Sequence, residues 1–158
     1  TEASLLISSL DPDGKYIAME NIQDPANLGA ICRTAEALGI SGVIVSGCCD
    51  RYSPKSQRAA MGSLLRLPVF ESESLVNDIG RLKNAGMMVY VTAPDSSCEK
   101  ITEVSMSGGV VCIIGNEGNG ASEEVLSLCE KITIPMKGNA ESLNASMAAA
   151  ITMWEMMR

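Results

Sequence analysis

An apolar strand and an Ala-rich helix meet in the segment Ile134-Pro-Met-Lys-Gly-Asn-Ala-Glu-Ser-Leu-Asn-Ala-Ser-Met-Ala-Ala-Ala-Ile151. The loop between them turns at Gly138 and Asn139 and offers backbone groups and small polar side chains at the carboxyl end of a strand. Ligands of open α/β sheets bind at this end of the strands. Ser142 is predicted to cap the helix, with Asn144 in its first turn. A plain N-cap explains Ser142 well. It explains Asn144 less well, because Asn is a mediocre helix former.

Short apolar runs alternate with helical patterns along the rest of the chain. The runs are rich in Val and Ile and mostly continuous, which is typical of strands buried on both faces of a parallel sheet. Strands are predicted at 16–20, 43–46, 67–70, 88–92, 110–114 and 132–136. Helices are predicted near 27–38, 53–65, 72–84, 121–129 and 142–157. This order predicts an α/β fold with a parallel sheet flanked by helices.

Composition limits the chemistry that the chain can perform. Apolar residues make up 46% of the 158 residues, enough for one domain with its own core. The chain has six cysteines, none in a CxxC pair, and no histidine, so we expect no metal site and no His-assisted nucleophile. Cysteines within apolar runs indicate a reducing, cytoplasmic compartment. No signal peptide or membrane-spanning run is evident.

The charge pattern has one local exception. The net charge of −7 argues against binding nucleic acid by bulk electrostatics. Between Arg51 and Phe70, however, there is no acidic residue, and the run carries Arg51, Lys55, Arg58 and Arg66. Both a solvated helix face and an RNA-contacting patch fit this run.

The first predicted helix has clear ends, with Asp24 as its cap and Gly39 as its stop. Arg33 lies off the apolar stripe and is stacked four residues after Gly29. A glycine beneath an arginine leaves space for a ligand or another chain. The alternative is a surface arginine paired with Glu36.

A second glycine-rich segment, residues 115–120 (Gly-Asn-Glu-Gly-Asn-Gly), follows a predicted buried strand and precedes a helix. It matches neither a Walker loop nor the dinucleotide GxGxxG spacing. A tight structural turn and a ligand loop both fit, and its position at a strand end favours the ligand loop. Glu117 is accordingly either a solvated turn residue or a functional carboxylate. Residues 92–95 also follow a strand and form a third candidate loop.

The last predicted helix is apolar nearly all round. One face holds Leu143, Met147, Ala150, Ile151, Trp154 and Met157, and the other positions include Ala148, Ala149, Met153 and Met156. Such a helix is either fully buried or packs on its own domain with one side and on a partner with the other. We therefore predict a homodimer that uses this helix.

Three segments, taken in order, resemble a known family. Residues 21–35, 114–120 and 134–151 are similar to the three motifs of the SpoU/TrmH family, S-adenosylmethionine-dependent RNA ribose 2′-O-methyltransferases of the SPOUT superfamily. The resemblance covers roughly residues 15–158. It implies a parallel sheet whose C-terminal part forms a deep trefoil knot, and a dimer with its active site near the subunit interface. The usual third motif has Val where this chain has Ala145, a small change.

The resemblance also implies roles for individual residues. Arg33 is the candidate for activating the ribose hydroxyl, either as a base or by positioning and charge stabilisation, since an ordinary Arg is a poor base. Supporting catalytic positions are Asn27, Glu117, Ser142 and Asn144. The positions that match the cofactor site are Thr92, Ala93, Gly115, Asn116, Glu117, Gly118, Ile134, Met136, Leu143 and Asn144.

Many members of this family carry an RNA-binding domain before the catalytic one. We therefore expect residues 1–14 to be an N-terminal tail or the remnant of a linker to such a domain, and residues 15–158 to be the catalytic domain. Two alternatives remain at this point: a module that binds S-adenosylmethionine or a nucleotide without catalysis, and a doubly wound nucleotide- or phosphate-binding enzyme unrelated to methylation.

Overall fold

The computed structural model describes residues 5–158; residues 1–4 of the expected N-terminal tail lie outside the described part. The strands are β1 (Lys15–Glu20), β2 (Gly42–Ser46), β3 (Val69–Glu71), β4 (Met88–Thr92), β5 (Glu99–Lys100), β6 (Val110–Ile114) and β7 (Glu130–Thr133). The helices are α1 (Pro25–Leu38), α2 (Pro54–Ala60), α3 (Ser63–Arg66), α4 (Leu75–Asn84), α5 (Glu123–Leu128) and α6 (Ala145–Met157), with a short 3-10 helix at Ile7–Ser9.

Within residues 5–158 the strands form one seven-stranded sheet in the order β3-β2-β1-β6-β4-β7-β5. All neighbouring strands are parallel, so the predicted parallel α/β fold is confirmed. The trefoil knot remains a prediction. In the described part of the chain, no helix has the length and apolar character needed to cross a membrane.

Alternation along the central strands divides the core into two layers. In β1, Ile17 and Met19 face the layer covered by α1 and α6. Tyr16 and Ala18 face the other layer, where α4 and α5 pack. Both faces of β1 are therefore dry, which explains why its sequence reads as a continuous apolar run.

Helix α1 begins and ends where its sequence predicts. The side chain of Asp24 accepts a hydrogen bond from the N–H of Ala26, and Gly39 ends the helix with φ of 80°. The expectation of free space beside Gly29 is wrong. A Cβ at Gly29 would lie 2.5 Å from the Cβ of Ala59 and 2.7 Å from the backbone nitrogen of Ala60. This glycine allows α1 and α2 to pack closely.

Two predicted elements differ from the observed ones, and one observed strand was not predicted. The helix predicted over 53–65 is broken, because Met61 and Gly62 both take left-handed backbone conformations. The strand predicted over 132–136 ends at Thr133 instead. Pro135 has no N–H to donate to a β-ladder, so it suits the loop in which it lies. The two-residue β5 was not predicted, because it is too short to show a pattern.

Helix α6 begins later than predicted, and Ser142 does not cap it. Asn144 is the cap, and its Oδ1 accepts hydrogen bonds from the N–H groups of Ser146 and Met147. The two apolar sides of α6 have different environments. Met153 and Met156 are buried in the core, whereas Met147, Ile151, Trp154 and Met157 are exposed.

Candidate functional site

A cleft of about 310 Å³ opens at the carboxyl ends of β4, β6 and β7. The three loops that the sequence singled out meet there. All the predicted cofactor positions except Asn144 line this cleft: Thr92, Ala93, Gly115, Asn116, Glu117, Gly118, Ile134, Met136 and Leu143. Of the supporting catalytic positions, Ser142 also lines it.

The loop after β6 is a closed turn. Asn116 and Gly120 exchange two backbone hydrogen bonds of 3.0 and 2.9 Å. A Cβ at Gly115 would lie 2.1 Å from the backbone nitrogen of Ala121, so only glycine fits there. A Cβ at Gly118 would approach nothing closer than the Oδ1 of Asn116, at 3.6 Å. Gly115 is therefore required by the turn itself, whereas Gly118 contributes only backbone atoms to the wall of the cleft.

Glu117 connects this loop to the start of α1. Its carboxylate accepts hydrogen bonds from the backbone N–H groups of Asp24 at 2.7 Å and Gln23 at 3.1 Å, and from the Nδ2 of Asn27 at 3.4 Å. Burial raises the pKa of Glu117, but these donors together outweigh burial and hold the pKa below its ordinary value. Glu117 is therefore a carboxylate at neutral pH and acts as a hydrogen-bond acceptor.

Three further hydrogen bonds join the same loops. The Nδ2 of Asn116 donates to the carbonyl of Asn21 at 2.6 Å. At the end of β1, the buried carboxylate of Glu20 accepts hydrogen bonds from the N–H of Ser122 at 2.8 Å and from its hydroxyl at 2.7 Å. Sequence reasoning missed Glu20, although a carboxylate at the end of a buried strand was a signal of a polar partner.

Arg33 is exposed on α1 and does not line the cleft of its own chain. Within residues 5–158 its side chain has no hydrogen bond or ion pair. The alternative pairing with Glu36 is wrong, because Glu36 is bonded to Arg66. The guanidinium of Arg33 is thus available to a substrate or to another chain.

The four residues of the predicted basic run have different partners and different exposure. Lys55 and Arg58 are exposed on α2. Arg66 is bonded to Glu36 at 2.7 Å. Arg51 is partly buried, with its Cζ 4.7 Å from the centre of the Tyr52 ring. Lys55, Arg58 and Arg66 are exposed, and of these three only Arg66 has an ion-pair partner among the described residues.

Asn144, the remaining predicted site residue, uses its side-chain oxygen to cap α6. The described part of the chain has no cluster of His, Cys, Asp or Glu side chains that could hold a metal ion.

The cleft has the character of a small-molecule site. Ile134, Met136 and Leu143 provide apolar contact, while Thr92, Glu117 and the backbone of the glycine-rich turn provide polar groups. Its volume lies within the usual range of such sites, about 300–1,000 Å³. Fold and site together define an α/β protein that binds a ligand across the carboxyl ends of neighbouring parallel strands.

The chain belongs to the SpoU rRNA methylase family, whose model matches residues 14–154. It is 35% identical over 144 residues to the 23S rRNA (guanosine(2553)-2′-O)-methyltransferase RlmP of Bacillus subtilis, covering 90% of this chain and 57% of that protein. Family membership decides against a doubly wound enzyme unrelated to methylation.

Solved structures agree. The AdoMet-bound rRNA methyltransferase of Sinorhizobium meliloti superposes with a TM-score of 0.89 at 30% identity, covering 98% of this chain and 60% of that one. The SpoU methyltransferase AviRb of Streptomyces viridochromogenes, in complex with AdoMet, gives a TM-score of 0.83 at 32% identity, covering 94% and 61%. The chain spans a little over half the length of the curated relatives it matches.

Proposed function

We propose that this chain transfers a methyl group from S-adenosylmethionine to a ribose 2′-hydroxyl of rRNA or tRNA. The observation that carries the proposal is the meeting of the three loops in one cleft at the strand ends, in a chain of this family. The name of RlmP, at 35% identity, supports the ribose 2′-O position. Two structural relatives contain AdoMet, which supports the choice of donor.

The residues of the cleft fit S-adenosylmethionine. Gly118 lines the cleft without a side chain, and a Cβ there would contact only the Oδ1 of Asn116, at 3.6 Å. The apolar side formed by Ile134, Met136 and Leu143 suits an adenine ring. When bound, this cofactor supplies an activated methyl group: the S–CH₃ bond breaks as the O–CH₃ bond forms, and the sulfonium becomes a neutral thioether.

The other half of the reaction concerns the ribose hydroxyl, which must lose its proton. We assign Arg33 to this hydroxyl, where its positive charge would stabilise the developing alkoxide. A neighbouring RNA phosphate oxygen takes the proton, since the pKa of an ordinary guanidinium is too high for a base. Glu117 and Asn27 fix the start of α1 and therefore the orientation of the helix that carries Arg33.

Because Arg33 does not line the cleft of its own chain, the site needs a second protomer or a substrate-driven approach. The exposed apolar face of α6 supports a homodimer through this helix. A deep trefoil knot in the C-terminal part of the chain, and an RNA-binding domain preceding residues 15–158 in the whole protein, belong to the same proposal. Lys55 and Arg58 are the proposed phosphate contacts, with Arg51 and Arg66 constrained by their present partners.

The decisive experiment replaces Arg33 with Ala and measures two quantities: affinity for S-adenosylmethionine by calorimetry, and methyl transfer to RNA from a labelled donor. We expect unchanged donor affinity and at least about a hundredfold loss of transfer. Arg81→Ala is the matched control, because Arg81 is an exposed arginine on α4, a helix of the other layer. Normal transfer by Arg33→Ala would remove this residue from the mechanism. Donor binding with no transfer to any RNA by the unaltered protein would instead favour a binding module without catalysis.

A further inference from the structure

A second cleft, of about 820 Å³, opens at the carboxyl ends of β2 and β3, on the other side of β1 from the first. Its walls include Leu6, Cys48, Arg51, Tyr52 and Glu73. The mechanism proposed above uses none of these residues except Arg51. The cleft therefore needs its own explanation.

A thin partition separates the two clefts. Glu117 lines the first cleft and accepts the backbone N–H of Gln23. The side chain of Gln23 donates its Nε2–H to the carbonyl of Gly47 at 2.7 Å, and Gly47 lines the second cleft. One residue, Gln23, thus joins the walls of both. The walls of the two clefts are therefore linked by hydrogen bonds through this one residue.

The second cleft offers an aromatic platform. Half of the surface of Tyr52, 49%, is exposed, and the Arg51 guanidinium lies against this ring with its Nη2 3.1 Å from the Tyr52 hydroxyl. Proteins recognise unpaired RNA bases by stacking them on aromatic rings and on guanidinium planes. The thiols of Cys48 and Cys49 are uncharged at neutral pH, because burial raises the pKa of each.

The charged groups at the rim select the part of a nucleotide that enters. Asp50, Glu71 and Glu73 all line the cleft, and three carboxylates repel a phosphate. Asp50 accepts the N–H of Tyr52, and Glu71 lies 3.9 Å from Arg51. Among the described residues Glu73 has no hydrogen bond or ion pair, so its carboxylate is available as an acceptor.

A carboxylate accepts hydrogen bonds from the exocyclic amino groups and ring N–H groups of bases. Guanine presents two adjacent donors, N1–H and N2–H, which match the two oxygens of one carboxylate. Uracil presents carbonyl oxygens on either side of a single N–H, and a carboxylate repels them.

We propose that the second cleft binds an unpaired nucleobase of the RNA substrate, guanine in preference to uracil, stacked on Tyr52 and hydrogen-bonded by Glu73. The inference deepens the proposed function and rests on it, since it names the part of the RNA that the enzyme reads beside the reacting ribose.

Tyr52 provides a direct probe. The chain has three tyrosines, and Tyr16 and Tyr90 are 3% and 1% exposed, so Tyr52 alone is accessible. Protein labelled with 3-fluorotyrosine is titrated with GMP, UMP and ribose 5-phosphate, and followed by ¹⁹F NMR. We expect GMP to shift the Tyr52 resonance and to saturate, at concentrations at which UMP and ribose 5-phosphate shift it little. The other two resonances should not move. Equal shifts with all three compounds, or no shift with any, would overturn the proposal.

Variants test each assigned contact. Glu73→Gln should reduce the preference for GMP over UMP by about tenfold, the scale of one base-edge contact. Asp13→Asn, which removes the same charge from an exposed residue just before the amino end of β1, should not change it. Leu75→Ala is unsuitable as a control because Leu75 is buried in the core.

For Tyr52, GMP affinity in the variants is measured by calorimetry. Tyr52→Phe should keep it, because the ring remains, and Tyr52→Ala should lose about tenfold. A retained preference in Glu73→Gln, or retained affinity in Tyr52→Ala, would contradict the assignment. None of these readouts requires donor binding or methyl transfer. Calorimetry with S-adenosylmethionine on the same preparation therefore separates a failure of this inference from a failure of the proposed function.

Discussion

Two helical glycines, Gly29 in α1 and Gly80 in α4, should respond to alanine in opposite directions. A Cβ at Gly80 meets nothing within 4 Å, whereas one at Gly29 meets α2 at 2.5, 2.7 and 2.8 Å, and two of these three atoms belong to the backbone. Gly→Ala in a helix gains about 1 kcal/mol from propensity. Overpacking against a rigid neighbour costs about 1–3 kcal/mol. Because backbone atoms cannot rotate away, we place the cost at Gly29 near the upper end of that range.

Gly80→Ala should therefore stabilise the protein by about 0.5–1 kcal/mol, and Gly29→Ala should destabilise it by about 2 kcal/mol after the propensity gain. Urea unfolding at equal protein concentration measures both. In a chain of this length, 2 kcal/mol corresponds to a change in Tm of about 4–8 °C. If Gly29→Ala were as stable as Gly80→Ala, the close approach of α1 and α2 would not be the reason for this glycine.

Further outcomes follow from the other contacts. Trp154 is 59% exposed and Met153 is 0% exposed. Trp154→Lys should therefore weaken self-association, measured by light scattering, and leave the fold intact, whereas Met153→Lys should unfold the chain, measured by circular dichroism. A Trp154→Lys variant that associates normally would exclude this face of α6 as the dimer contact. The pKa of Glu117 lies below its ordinary 4.5, so its stabilising effect is complete above that pH and is lost as the pH falls through the lowered value. The difference in unfolding free energy between the wild type and Glu117→Gln should therefore be constant above about pH 5 and shrink in more acidic solution; a difference that grows on acidification would reverse the sign of the argument. Glu20→Ala leaves the Ser122 N–H and hydroxyl without their acceptor, and should weaken S-adenosylmethionine binding by about tenfold in calorimetry. Glu20→Asp keeps a carboxylate and should recover part of this loss of affinity. Unchanged affinity in Glu20→Ala would show that these hydrogen bonds do not order the loop.

Much of the fold was predictable because it depends on local patterns. Buried parallel strands read as continuous Val- and Ile-rich runs, and α1 carries its own cap and stop in Asp24 and Gly39. The elements that differ depend on geometry that patterns do not contain. Nothing in the composition of residues 53–65 shows that Met61 takes a left-handed conformation, and the cap of α6 could be assigned to Ser142 or to Asn144.

The site was predictable as a set of loops but not as a set of contacts. The glycine-rich turn and the two flanking loops line one cleft as the resemblance implies. That Glu117 is bonded to the start of α1, and that Glu20 supports the same turn from β1, depends on long-range contacts between segments distant in the chain. The two sides of α6 also look alike in sequence, because Met and Trp suit both a core and an interface. Only packing shows that Met153 is inside and Trp154 is outside.

The position of β6 between β1 and β4 has a consequence for synthesis of the chain. Strands β1, β2 and β3 pair in chain order and can associate early, but one edge of β1 stays unpaired until β6 has been made. Non-local parallel pairing of this kind forms slowly, and an unpaired apolar edge is a template for pairing with other chains. A nascent chain arrested before Val110 should therefore depend on chaperones more than the finished chain does.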